Sequence, residues 1–195
     1  MLMRIIGING SGRAGGNTAV LVQAVLEGAA QTGADAELME LGPLAIAGCD
    51  GCRQCKETQR CVKTDDMQRF YDTASATDVL VLASPVYMDG LTAQLMAFLQ
   101  RTYCYLGPHI ENRWPRKDVR AVVGVTYGAP EPGRYDHLLD WLAGRLNKYF
   151  DITTVARLSV PGARFRPLID RNHPEIQRAF EVGRTLVGAE RGGRS

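Results

Sequence analysis

Short apolar runs alternate along this chain with longer stretches whose apolar residues recur at helical spacing. The run RIIGIN (4–9) predicts a first strand, followed by a glycine-rich loop and a helix over 17–31. AELMEL (36–41) predicts a second strand, a long cysteine-bearing loop follows, and a helix is expected over 65–76. DVLVLAS (78–84) is apolar at nearly every position, as befits a parallel strand covered on both faces. A helix over 90–106, a strand over 119–127, a helix over 133–149, a strand over 152–160 and a last helix over 174–188, opened by Pro174, complete the pattern. Five strands alternating with five helices predict an α/β fold, a doubly wound parallel sheet with helices on both faces. Residues 1–190 are expected to form a single domain and 191–195 a disordered tail.

Such a sheet gathers every strand-to-helix loop at one edge, where ligands bind beside the point at which strand order reverses. The loops 10–18, 42–64, 84–90 and 126–133 are therefore all expected at that edge. They hold most of the unusual sequence in the chain.

Composition narrows the class only slightly. With 23 Lys and Arg against 21 Asp and Glu, the net charge of +2 gives no reason to expect a nucleic-acid partner. No apolar run reaches the roughly 20 residues of a membrane span. The first residues, MLMRIIGING, do not read as a signal peptide, so a cytoplasmic setting is the expectation. In a reducing compartment, clustered cysteines point to metal binding or catalysis before disulfides.

The first loop, NGSGRAGGNT (9–18), ends a strand and opens a helix. Freed backbone N–H groups and the positive end of the helix make it an anion site. Gly10, Gly12 and Gly15 form a literal G-x-G-x-x-G, with Glu40 near the end of the second strand, which raises a dinucleotide fold as a rival. Ser11, Arg13, Asn17 and Thr18 argue instead for a phosphate monoester, since they add hydroxyl, guanidinium and amide donors around one point. In SPVYMDG (84–90), Pro85 fixes a turn, Tyr87 offers a flat wall and Gly90 permits close backbone approach.

GSGRAGGNT, CDGCRQCKETQRCVKTDDM and ASPVYMDGLTAQLMAFLQR, in that order, resemble the flavodoxin-like NADPH-dependent FMN reductase superfamily, and within it the iron–sulfur flavoprotein branch. The likeness runs from the first strand to about residue 105. It implies an FMN-binding oxidoreductase in which Ser11, Arg13, Asn17 and Thr18 hold the FMN phosphate. Pro85, Val86, Tyr87 and Gly90 would line the isoalloxazine ring, and Thr126 to Gly128 would lie over it. The chain departs from the family in carrying Gly12 where a proline often follows the serine. The resemblance also implies a homodimer or homotetramer, with the cluster of one subunit facing the flavin of its neighbour.

The cysteine loop holds Cys49, Cys52, Cys55 and Cys61 as C-x2-C-x2-C-x5-C. Structural zinc sites more often combine two knuckles across a long spacer. C-x2-C-x2-C is a spacing with which iron–sulfur proteins seize a cubane cluster. Arg53, Lys56, Arg60 and Lys63 exceed Asp50 and Glu57 in charge and would offset a negative cluster. A [4Fe-4S] cluster is the leading expectation; zinc, or an empty or disulfide-forming motif, remains open. Cys104 is expected to be a packed core residue. His109, His137 and His173 show no metal-site spacing.

No acid–base pair is evident, as expected where a flavin carries the chemistry. The expected function is electron transfer between FMN and the cluster, with NAD(P)H or ferredoxin as donor and a small molecule or protein as redox partner. A cluster-free FMN or quinone reductase and a non-catalytic electron carrier are the rivals.

Overall fold

The computed structural model describes residues 2–165 and 168–187; the expected tail at 191–195 lies outside the described residues. Strands β1 (Arg4–Asn9), β2 (Asp35–Glu40), β3 (Val79–Tyr87), β5 (Arg120–Thr126) and β6 (Thr153–Val160) form a parallel sheet in the order β2-β1-β3-β5-β6. Chain order reverses between β1 and β3, so the ligand crevice is expected beyond the ends of those two strands. A short β4 (Gly90–Leu91) pairs antiparallel with the end of β3.

The helices divide between the two faces. On one, α1 (Asn17–Gln31) and α6 (Pro174–Leu186) pack with Ile5, Val79, Val81 and Val122. On the other, α3 (Gln68–Ala74), α4 (Ala93–Arg101) and α5 (Asp136–Phe150) cover Ile6, Ile8, Leu80, Leu82 and Val123. Alternate residues of one strand thus feed two cores, which is why β3 reads as an unbroken apolar run.

Several boundaries differ from the sequence pattern for identifiable reasons. β3 continues through Pro85, Val86 and Tyr87, because Val86 and Tyr87 pair with Leu91 and Gly90 in a hairpin. Its two turn residues, Met88 and Asp89, both have positive φ (49° and 56°), as a two-residue hairpin of this hand requires. The helix expected over 90–106 begins only at Ala93 because Thr92 caps it, accepting from the Leu95 N–H at 3.2 Å. It tightens into a 3-10 turn over Thr102–Tyr105. The expected 65–76 helix is trimmed to Gln68–Ala74, since Asp65 and Asp66 turn their side chains to the backbone of the cysteine loop. That loop contains one further turn of helix, α2 (Cys55–Thr58).

Candidate functional site

Three of the four loops meet in one cavity of about 360 Å³ at the crevice between β1 and β3. Its walls include Ser11, Arg13, Asn17 and Thr18 from the first loop and from α1. Pro85, Val86 and Tyr87 come from the end of β3, and Thr126 and Gly128 from the end of β5. Gly90 does not line it; it lies across the hairpin from Tyr87. Gly16 of the first loop and Tyr127 of the segment after β5 also line it, and a segment after β6, Ala163 to Phe165, completes the lining; that last segment carried no sequence signal.

The first loop is held by contacts from every side. Asn9 Oδ1 accepts the Ser11 N–H (3.1 Å), and Ser11 Oγ accepts the Arg13 N–H (3.0 Å). Glu40, which with the glycines raised a dinucleotide fold as a rival, accepts the Gly15 N–H at 2.9 Å and so braces the loop. Gly42, just beyond β2, lies directly behind it: a Cβ there would come within 2.8 Å of the Ser11 and Gly12 backbone. Thr18 and Thr126 share a buried hydroxyl contact of 2.8 Å.

Thr92 locks this loop to the third one. Buried, it donates through Oγ1 to the Gly10 carbonyl (2.6 Å), while its N–H donates to Ser84 Oγ (3.1 Å). The Gly10 N–H in turn bonds the Ala83 carbonyl at 2.8 Å. One threonine therefore caps α4 and spaces the two loops that the sequence had singled out separately. A single Thr before a helix suggests only a cap; its second partner, 82 residues away, exists only in the fold.

The hairpin tip is tied in as well. Tyr135 Oη donates to Asp89 Oδ1 at 2.6 Å, and its ring meets Tyr127 edge-on with centroids 4.9 Å apart. Tyr87 and Met88 remain exposed beside the cavity mouth.

The donor set fits FMN. Hydroxyl, amide and guanidinium groups of the first loop and the start of α1 share the lining with Pro85, Val86 and the aromatic Tyr87 and Tyr127. Among the described residues no carboxylate belongs to the lining. The volume lies in the range usual for small-molecule sites.

The fourth loop behaves differently. None of Cys49, Cys52, Cys55 and Cys61 lines this cavity, although their loop leaves the same edge of the sheet and its Gly42 packs on the first loop. β2 is the edge strand of the sheet, so its loop starts one strand away from the crevice and packs under α3 and α4 instead. All five cysteines are free thiols: Cys49 and Cys52 exposed, Cys61 half-buried, Cys55 and Cys104 buried. Among the described residues no three His, Cys, Asp or Glu side chains come together as a metal site.

The thiols nevertheless feel one another. Burial pushes the Cys55 thiol above its ordinary range; Lys56 opposes this, and the neighbouring Cys61, Cys49 and Cys52 add to it. Burial likewise pushes Cys104, the expected core residue, up to about 12. Four free thiols within 13 residues, three of them close enough to influence Cys55, have the donor chemistry of a thiolate-held group.

Three of the surrounding cations are tied into the protein, while Arg53 is exposed. Lys56 is buried, its ammonium donating to the Tyr103 and Leu106 carbonyls (3.0 and 2.5 Å) and resting 3.3 Å over the Tyr103 ring. Lys63 pairs with Asp50 at 2.9 Å; that hydrogen bond and the Cys52 N–H hold the Asp50 carboxyl down to about 2. Arg60 reaches Gln68 and Asp72. Among the histidines, His109 and His137 are exposed and His173 caps α6 by accepting the Glu175 N–H.

A family model described as NADPH-dependent FMN reductase matches residues 3–129. An iron-sulfur flavoprotein of Methanocaldococcus jannaschii is 37% identical over 100 residues, covering 51% of this chain and 52% of that protein. An iron-sulfur flavoprotein of Methanosarcina thermophila is 36% identical over 100 residues, with 51% and 52% covered. The chain spans about half the length of the curated relatives it matches. The same fold occurs in a NAD(P)H:quinone oxidoreductase from Methanothermobacter marburgensis, with a TM-score of 0.73 at 15% identity, over 95% of this chain and all of that one.

Proposed function

Since the chain belongs to the NADPH-dependent FMN reductase family, we propose that it is a flavin-dependent oxidoreductase that holds FMN in the cavity between β1 and β3 and a [4Fe-4S] cluster on Cys49, Cys52, Cys55 and Cys61. The observation that carries the flavin half is the meeting of the ends of β1, β3 and β5 in one cavity whose described lining has no carboxylate. For the cluster half, support comes from the cysteine spacing, the free state of all five thiols and the relatives named iron-sulfur flavoproteins.

Bound there, FMN would supply hydride and single-electron transfer, and a cluster would carry one electron at a time. The chain's own residues do the rest. Ser11, Arg13, Asn17 and Thr18 stand at the phosphate end. Pro85, Val86, Tyr87 and Gly90 form or support one wall for the ring, and Thr126 to Gly128 the other. Cys49, Cys52, Cys55 and Cys61 would hold the cluster, and buried Lys56 and Arg101 place positive charge beside them.

Because the cysteines do not line their own chain's cavity, electron exchange with the flavin is best served by a neighbouring copy. We place that copy, in a homodimer or homotetramer, on the apolar groove of about 620 Å³ that includes Cys49, Leu99, Tyr103, Trp141 and Tyr149. NAD(P)H or ferredoxin is the proposed donor and a small molecule or protein the acceptor. No helix among the described residues is long and apolar enough to cross a membrane; the proposed location is the cytoplasm.

Anaerobic purification tests this reading: the expected result is bound FMN, iron and sulfide in equal amounts, and a visible spectrum with flavin bands on a broad shoulder. A second reading, a cluster-free FMN or quinone reductase, is favoured by the lack of a convergent ligand group among the described residues. Stoichiometric zinc, or no metal at all, in anaerobic protein would decide for it. Absence of NAD(P)H oxidation alongside rapid reduction by a ferredoxin would point to an electron carrier.

A further inference from the structure

After β6 the chain turns back over the sheet edge. The Tyr127 N–H bonds the Val160 carbonyl (3.1 Å), the Gly162 N–H the Ala129 carbonyl (2.9 Å) and the Ala163 N–H the Tyr127 carbonyl (2.8 Å). Residues 160–163 are thereby stitched to the loop after β5. The segment then reaches the start of α1. Asn17 Nδ2 donates to the Arg164 carbonyl at 2.6 Å, and Asn17 Oδ1 accepts the Ile169 N–H at 2.8 Å. Both polar ends of one amide are committed to this strap, 147 and 152 residues away in sequence.

The strap delivers two side chains to the same end of the cavity. Arg164 and Phe165 join the lining, and the Phe165 ring, although 64% exposed, lies 4.1 Å from the Arg13 guanidinium. A guanidinium stacked on a ring by its face keeps its N–H groups free in its own plane, where they can fork a phosphate.

Charge and donor supply point the same way. The described lining contains two arginines, Arg13 and Arg164, and no carboxylate. A phosphate monoester carries roughly −1.5 to −2 at neutral pH, so one guanidinium leaves it undercompensated. The first loop is also poorer in free donors than its sequence suggests. Asn17 spends its amide oxygen and one of its two amide N–H groups on the strap, Thr18 is paired with Thr126, and the Gly15 N–H is taken by Glu40.

We propose that Arg164 is the second cation of the phosphate site, carried there by the strap that Asn17 anchors, and that it sets this chain's preference for FMN over riboflavin. The inference rests on the proposed FMN-binding function and adds to it a determinant outside the first loop. Asn17 then acts as a positioning residue, holding the strap in place.

The test is titration of flavin-free native protein, Arg164→Met and Arg164→Lys with FMN and with riboflavin, followed by flavin fluorescence. Loss of one charge-assisted contact should weaken FMN binding by about tenfold or more in Arg164→Met. Riboflavin affinity should stay unchanged, and Arg164→Lys should recover part of the loss. Unchanged FMN affinity in Arg164→Met would overturn the inference, as would equal loss of FMN and riboflavin, which marks a structural role. Failure of the native chain to bind FMN would overturn the proposed function and this inference together.

Discussion

Arg101 and Asp65 meet in a two-pronged ion pair beneath the cysteine loop, with Nη1 to Oδ2 at 2.5 Å and Nη2 to Oδ1 at 3.0 Å. Arg101 is among the most deeply buried side chains of the protein, at 1% exposure. Its Nη1 also donates to the Ala47 carbonyl, and Asp65 Oδ2 accepts the Ala47 N–H. Asp66 repeats the move one residue along, accepting the Ala45 N–H at 2.7 Å. The DD that follows the last clustered cysteine therefore clamps the start of the cysteine loop to α4.

Replacing Asp65 by Asn should destabilise the fold by about 3 kcal/mol, because it strands a buried guanidinium without its counter-charge. Burial alone would raise the Asp65 carboxyl, but hydrogen bonds from Arg101 and the Ala47 N–H outweigh it and hold the group below its ordinary range. A depressed carboxyl contributes stability above its unfolded pKa of about 3.9 and loses it as pH falls through the folded value. Urea unfolding from pH 7 down to 3 should therefore show an acid loss in the native protein that is smaller in Asp65→Asn. Equal slopes in both would contradict the assignment.

Cys61→Ser and Cys104→Ala should separate ligand from core. Iron per chain is expected to fall in the first with FMN retained, and to stay unchanged in the second. In metal-free protein at pH 8, mass spectrometry after iodoacetamide should find Cys49 and Cys52 modified first and Cys104 last, since the thiolate is the reacting form and Cys104 is pushed up to about 12. A full iron complement in Cys61→Ser would remove it from the ligand set.

Arg13→Ala should weaken FMN binding by about tenfold or more while leaving thermal unfolding nearly unchanged, because the side chain is exposed and rests on the ring of Phe165, which is exposed too. Fluorescence titration alongside calorimetry checks both halves. Unchanged affinity would place the phosphate elsewhere.

Gly42→Ala should damage the site from behind. Its Cβ would press on the Ser11 and Gly12 backbone at 2.8 Å, atoms that cannot rotate away, at a cost of about 1–3 kcal/mol. FMN affinity should fall with stability, although residue 42 does not line the cavity. Native affinity in the Gly42→Ala variant would show that the first loop shifts freely.

The apolar run of β3 and the spacing of α1 could be read from the sequence because each reflects a period imposed by burial on the local chain. Ser11, Arg13, Asn17 and Thr18 stood out in the sequence because glycine, hydroxyl, amide and basic residues lie next to one another there. Thr92 and Gly42 gave no such sign, and Glu40 did not show that it braces the first loop, for their importance lies in contacts with residues far along the chain. Arg164 and Phe165 follow the last strand in a stretch without a motif, and only the β5–β6 pairing brings them over the start of α1.

Local period and local composition were enough to specify the parallel α/β architecture, the glycine-rich first loop, the Pro85–Tyr87 segment that ends β3 and the set of four thiols. That three loops share a cavity and the fourth does not came from the assembled sheet, in which β2 lies at the edge while β1, β3 and β5 are adjacent. Strand order is set by which faces can be buried together, a property of the whole chain that no single segment carries.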